Sequence, residues 1–336
     1  MQRLSCFVLT AALGAFLVRP AACQDDPCGR LHQLIATTYD FRPSKLSRDQ
    51  LNAKGKAMDL VWETVKGDAQ ALLPCLRQEL VAPGADVMFR YDCSSLLAEL
   101  DPSAESKAMK VACWTGVPLS DVDGRYWIAE LSKLGFEGHD VSEAAAKWLV
   151  WPKASYRIPG HGLQEYKGEE GALFLLGSMD EAQATPALLR LITDAEGAAR
   201  ESALRIFTWQ ATPEALRAVK DVDRTGLPPR SIASLIALRS SPPPLLPSSQ
   251  PSMTHAELQA SLDGLLAKGD ASISRFVDAL TARPADTLAV LTEADLPRLR
   301  LARRRVAGIG NFHAIEAYEK LSLILLARIW TPDLVK

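Results

Sequence analysis

The chain has 336 residues, 48% apolar and 23% charged, with a formal charge of −2. That length is enough to bury a full core and suggests one to three domains. The near-neutral balance excludes a surface built throughout for nucleic acid, and the ordinary composition excludes a disordered or fibrous chain.

Met1-Gln2-Arg3 gives a short positive start, and Leu4 to Val18 is an apolar run of signal-peptide length. It is too short for an ordinary spanning helix. Pro20-Ala21-Ala22-Cys23 then offers small residues for cleavage. Residues 1–23 are predicted to be a signal peptide, so the chain is expected to be exported, periplasmic or secreted; the alternative is an N-terminal membrane anchor. Ala-Ala-Cys resembles the end of a bacterial lipoprotein signal, which implies a lipid anchor at Cys23. Pro20 stands where that family usually has Leu, and Arg19 also departs from its pattern. No later stretch approaches the ~20 apolar residues of a span, so no transmembrane helix is expected in the mature chain.

Beyond Cys6 and Cys23 the cysteines are Cys28, Cys75, Cys93 and Cys113, all in the first third. In an exported chain these are disulfide candidates with three connectivities that sequence does not separate. They lack the close pairs of a zinc site, and free buried thiols are the other reading.

Almost every following segment reads as helix. Ser47-x-x-Gln50 has the form of a capping box before Leu51, Met58, Val61, Trp62 and Val65. After a polar break at Lys66-Gly67-Asp68, Leu72, Leu73, Leu76 and Leu80 form an apolar stripe. Helical runs follow at 88–100, stopped by Asp101-Pro102, then at 103–114, 122–134 and 142–150.

Residues 151–171 carry too many breakers for one helix and are predicted to be a long loop, often a functional feature in a compact array. Trp151, Tyr156, His161 and Tyr166, with Trp148, are candidates for an aromatic recognition surface. The alternative is that these rings fold the loop onto neighbouring helices.

The next window contains a repeated helix start. Ala184-Thr185-Pro186 and Ala211-Thr212-Pro213 each precede an apolar helical run. Thr185 and Thr212 are expected to be N-caps, with Pro186 and Pro213 at the first helical position, where a missing N–H costs nothing. Each start follows another helix, around Leu173–Leu176 and Leu204–Phe207. Ala199-Arg200-Glu201-Ser202-Ala203-Leu204-Arg205, followed by Thr212-Pro213-Glu214-Ala215-Leu216-Arg217-Ala218-Val219-Lys220-Asp221, resembles the short HEAT-like (PBS-lyase-type) repeat. The resemblance is best over 171–222. It implies an α-solenoid of stacked hairpins that presents a binding surface, with Arg190, Glu214 and Arg217 as contact candidates. Unit lengths vary and no single consensus runs end to end.

A Pro- and Ser-rich stretch, 240–253, interrupts the helices and is predicted to be an extended linker. Helix signals resume with a capping box at Thr254-x-x-Glu257, then an apolar pattern through Ile273, Phe276, Val277 and Leu280, and a final helix from near Asn311 carrying Ile315 to Ile329. Arg298, Arg300, Arg303, Arg304 and Arg305 form a basic cluster. Its candidate role is binding an anionic partner; a solvated helix face is the plainer reading.

Signatures of known chemistry are missing: no G-x-S-x-G, no P-loop, no H-E-x-x-H, and no two His at helical spacing for a metal. Asp121-Val122-Asp123-Gly124 reads as a plain turn rather than a calcium loop. The sequence therefore predicts an all-α protein: an irregular HEAT-like solenoid over 24–239, a linker at 240–253 and a C-terminal helical subdomain over 254–336. The expected function is non-catalytic binding or scaffolding of a protein partner, with no cofactor, metal or nucleic acid. The alternatives are a hydrolase with its site in the 151–171 loop around His161, and a structural part of an envelope complex.

Overall fold

A computed structural model describes residues 26–39, 48–118, 124–151, 154–158, 162–166, 168–210, 212–218, 245–267, 273–309 and 314–330. The predicted leader with Cys23, Ser47 of the first capping box, the Asp121 turn, His161, the 240–244 part of the linker and Asn311 lie outside these residues. The described residues form helices with one two-stranded hairpin, in two compact units that divide at Cys113 and Trp114.

The first unit holds α1 (Pro27–Tyr39), α2 (Arg48–Gly67), α3 (Ala69–Val81), α4 (Val87–Leu100) and most of α5 (Ala104–Gly116). The helix α1 falls where the sequence predicts no element. It buries Leu31, Ile35 and Tyr39, one residue per turn, and packs on α3. Cys28 on α1 and Cys75 on α3 are joined by a disulfide, with their Cα atoms 5.2 Å apart. Cys93 and Cys113 are buried free thiols, so one bridge forms where two were possible. Burial pushes the Cys93 thiol up to about 12 and raises Cys113 as well.

Local signals explain the helix ends in this unit. The Asp86 carboxylate caps α4, accepting from the backbone N–H groups of Met88 and Phe89 at 2.8 and 3.1 Å. The helix stops at Asp101 because Pro102 disfavours helical backbone in the residue before it. The Ser106 hydroxyl, the Ser103 hydroxyl and Arg77 bond the Asp101 carboxylate and hold it at about 2, below the usual carboxylate range.

The second unit contains α6 (Gly124–Phe136), α7 (Ser142–Val150), β1 (Ala154–Ile158), β2 (Gly162–Tyr166), α8 (Gly168–Ser178), α9 (Glu181–Asp194), α10 (Gly197–Trp209) and α11 (Pro213–Ala218). It continues with α12 (His255–Leu266), α13 (Ile273–Thr281), α14 (Pro284–Val290), a 3-10 turn (Glu293–Asp295), α15 (Leu296–Gly308) and α16 (Ile315–Ile329). The centre is α8, whose Ala172 to Ser178 are all buried. A helix apolar on every side has no solvent face and must be surrounded. Helices α6, α7, α10 and α15 all pack on it. Two glycines permit that closeness: a Cβ on Gly171 would lie 2.8 Å from the Trp148 ring, and one on Gly177 would lie 2.8 Å from the Tyr318 ring. Trp114, Trp127 and Trp148 are fully buried, and Trp127 Nε1 donates to the Trp114 carbonyl at 3.1 Å.

The twin helix starts have different fates. Thr212 is an N-cap, its hydroxyl accepting from the Ala215 backbone N–H at 3.0 Å, with Pro213 opening α11. Thr185 is not a cap. Asp180 takes that role for α9, accepting from the Ala182 N–H at 3.0 Å, and Pro186 lies inside the helix. An aspartate ahead of Glu181 offers an earlier start, and extending the helix outweighs the one backbone bond that Pro186 cannot make.

The C-terminal stretch is not set apart from what precedes it. Helix α15 packs on α6 and α8, and α16 packs on α10. A stack in which each hairpin meets only its neighbours has no such return contact. The described end of the Pro-rich segment is also pinned rather than free. The Ser248 N–H donates to the Ala285 carbonyl at 3.0 Å, and the Ser252 N–H and hydroxyl donate to the Asp286 carboxylate at 3.1 and 2.5 Å. Prolines pre-extend this backbone, and Ser and Asp side chains supply bonds that prolines cannot.

Candidate functional site

The basic cluster on α15 turns inward. Arg303 is 1% exposed; it donates to the Gln210 carbonyl, meets Glu181 at 3.2 Å and lies over the Tyr318 ring at 5.6 Å. Arg304 donates to the Ser178 carbonyl at 3.2 Å and to Asp180 at 3.1 Å, and covers the Phe136 ring. Arg298 bonds Gln259 and Asp263, and Arg300 is half-buried. This corrects both readings for Arg303 and Arg304, which are neither a solvated face nor an external anion site. They satisfy carbonyls and carboxylates at the ends of α8, α9 and α10, groups that a helix cannot satisfy by itself.

The predicted aromatic loop is a β-hairpin, with β1 and β2 antiparallel and Ala154 opposite Tyr166, Tyr156 opposite Gln164 and Ile158 opposite Gly162. Five-residue strands escape a periodicity reading when turn residues surround them. Trp151 precedes the hairpin, its N–H bonded to the Trp148 carbonyl at 3.0 Å and its residue 36% exposed. Trp148 is buried against Trp127, so it belongs to the core rather than to a recognition surface.

Two concave sites, both in the second unit, are not apparent as motifs. A groove of about 480 Å³ between α7 and α9 is lined by Asp140, Glu143, Arg190 and Asp194, with Ala146 and Leu191 among the apolar residues. It brings Arg190 together with three carboxylates. A cavity of about 450 Å³ is bounded by the 252–253 segment and helices α12, α13 and α14, with Arg275, Phe276 and Arg283 on its walls. The one sequence signal for the second site is Gly264, a helix-interior glycine. A Cβ there would lie 2.3 Å from the Phe276 ring.

The 3-10 turn is fixed by Asp295. Burial alone would raise its carboxyl, but bonds from Thr292, His255 and Gln259 outweigh burial and hold it at about 2. The described residues contain no group of three His, Cys, Asp or Glu placed to hold a metal ion, and no helix long and apolar enough to cross a membrane. Comparison with family models, with curated proteins and with solved structures finds no match to this chain.

Proposed function

We propose that this is an exported binding protein without catalytic activity, whose helical surface of HEAT-like hairpins holds a protein partner in the α7–α9 groove. The observation that carries this reading is the groove's lining: Asp140, Glu143 and Asp194 against the single guanidinium of Arg190. The excess of carboxylates suits a partner segment rich in Lys or Arg, and the apolar floor at Ala146, Ala187 and Leu191 suits the stems of such side chains. The groove lies partly on the stretch that resembles HEAT-like repeats. The Cys28–Cys75 disulfide supports export, because such bonds persist in oxidising compartments. The hydrolase reading depends on His161, which lies outside the described residues.

The test is affinity purification from envelope extracts at low and high salt, with the wild-type chain and a Glu143→Lys/Asp194→Lys variant. A basic partner should be retained by the wild type at low salt and lost with the variant or at high salt. Recovery of the same proteins by both chains, or of none under any condition, would overturn the reading.

A further inference from the structure

The cavity among α12, α13 and α14 is distinct from the α7–α9 groove, and its four charged side chains are unequally partnered. Four ionisable side chains line it: Glu257, Arg275, Arg283 and Asp286. Three are satisfied internally. Arg283 donates to the Ser252 hydroxyl at 3.0 Å and stands 3.9 Å from Asp286. Asp286 also accepts from the Ser252 backbone and hydroxyl. Glu257 completes the capping box of α12, accepting from the Thr254 N–H at 2.7 Å, at the positive end of that helix.

Arg275 is the exception. It makes no hydrogen bond or ion pair with any described residue. Its guanidinium is exposed at the cavity wall and is held by no other described side chain, so it is open to a ligand.

The floor is apolar and open to solvent, with Ala260, Ala279 and Ala282 exposed. Met253, Ala260, Phe276, Ala279 and Ala282 line it, and Phe276 is only half-buried. Its ring lies so close to the α12 backbone that Gly264 leaves no room for a side chain. Gly in a helix interior costs about 1 kcal/mol relative to Ala, so seating this ring has a cost that the surrounding helix bears. A floor of this kind with one convergent charge is the usual form of a small-molecule site, and the volume falls in the usual range.

We propose that this cavity binds a free monocarboxylic acid with an aromatic or branched apolar body, its carboxylate on Arg275 and its body against Phe276. A guanidinium takes a carboxylate through two parallel N–H bonds, which fixes orientation as well as affinity. The one guanidinium without a partner among the described residues of this wall fits a single carboxylate, the Glu257 carboxylate on the same wall disfavours a second anionic group, and the apolar floor selects against small hydrophilic acids.

The probe is 3-phenylpropionate, titrated into the full-length chain by calorimetry, with 3-phenylpropanamide as the uncharged isostere. The acid should bind and the amide should bind at least about 10-fold more weakly, a step worth roughly 1.4 kcal/mol. Arg275→Gln should lose about the same factor without unfolding, because Arg275 has no internal partner to strand. Ala279→Phe, which fills the floor from an exposed position, should abolish binding of the acid. Equal affinity for acid and amide, full affinity in Arg275→Gln, or no binding of the acid at about 10 mM would each overturn the proposal. So would binding confined to a peptide ending in a free Phe carboxylate. None of these outcomes bears on the partner test of the α7–α9 groove.

Discussion

The two units are held together by different means. In the first, a covalent bond ties α1 to α3 beside a modest apolar core. In the second, the tie is a buried guanidinium, with Arg303 of α15 joining the end of α10 to the start of α9. A small helical unit buries a smaller share of its surface and gains most from a constraint on its unfolded chain. A larger unit has a full core, and its weak points are the orphan polar groups where buried helices end. Arginine suits that task because one side chain can donate to several acceptors in fixed directions. The comparison separates a staple that acts on the unfolded state from one that acts in the folded core.

The sharpest way to break this comparison is to remove the buried arginine. Arg303→Ala should cost on the order of 3 kcal/mol, because it leaves the Gln210 carbonyl and Glu181 without their partner. Hydrogen exchange followed by peptide mass spectrometry should place the loss in 114–336. A loss under about 1 kcal/mol would mean the arginine is dispensable, as surface pairs often are.

The matching experiment on the other unit is Cys28→Ser, expected to cost about 2–4 kcal/mol. The loosening should be confined to α1 and α3. Loosening of equal size in the second unit would erase the distinction between the two ties.

A smaller effect tests the first unit's core. Burial raises the Asp92 carboxyl to about 6, only partly offset by nearby Lys54 and the Tyr39 hydroxyl. A carboxyl raised by folding favours the folded state when protonated, so its contribution is complete below about pH 4 and is lost as pH rises through 6. Asp92→Asn should therefore stabilise the chain at pH 7.5 by roughly 1–3 kcal/mol and not at pH 4. Thermal melts at the two pH values check it; an equal gain at both would mean that charge is not the cause.

Much of the helical order was legible in the sequence, and the reasons are local. The stripe at Leu72, Leu76 and Leu80, the stop at Asp101-Pro102 and the Thr254–Glu257 capping box all depend on residues a few positions apart. What was not legible depends on distant partners. Nothing near Thr185 signals that Asp180 takes its place as a cap. Nothing near Arg303 signals burial, because Glu181 lies 122 positions away. The candidate sites follow the same rule. The cavity around Arg275 draws its walls from three helices and a Pro-rich segment, and only Gly264 marks it in the sequence.

The position of α8 has a consequence for the order in which the chain is made. Its walls include α6 and α7, which precede it, and α15, which follows more than a hundred residues later; the Arg304–Ser178 bond spans 126 positions. At about 5–20 residues per second, a ribosome takes roughly 6–25 s to supply that last wall. During that interval one of the most apolar helices in the molecule has an open side. A chain in this state exposes a sticky surface, and a holding factor that covers α8 until α15 arrives would act at the step where misassembly is easiest.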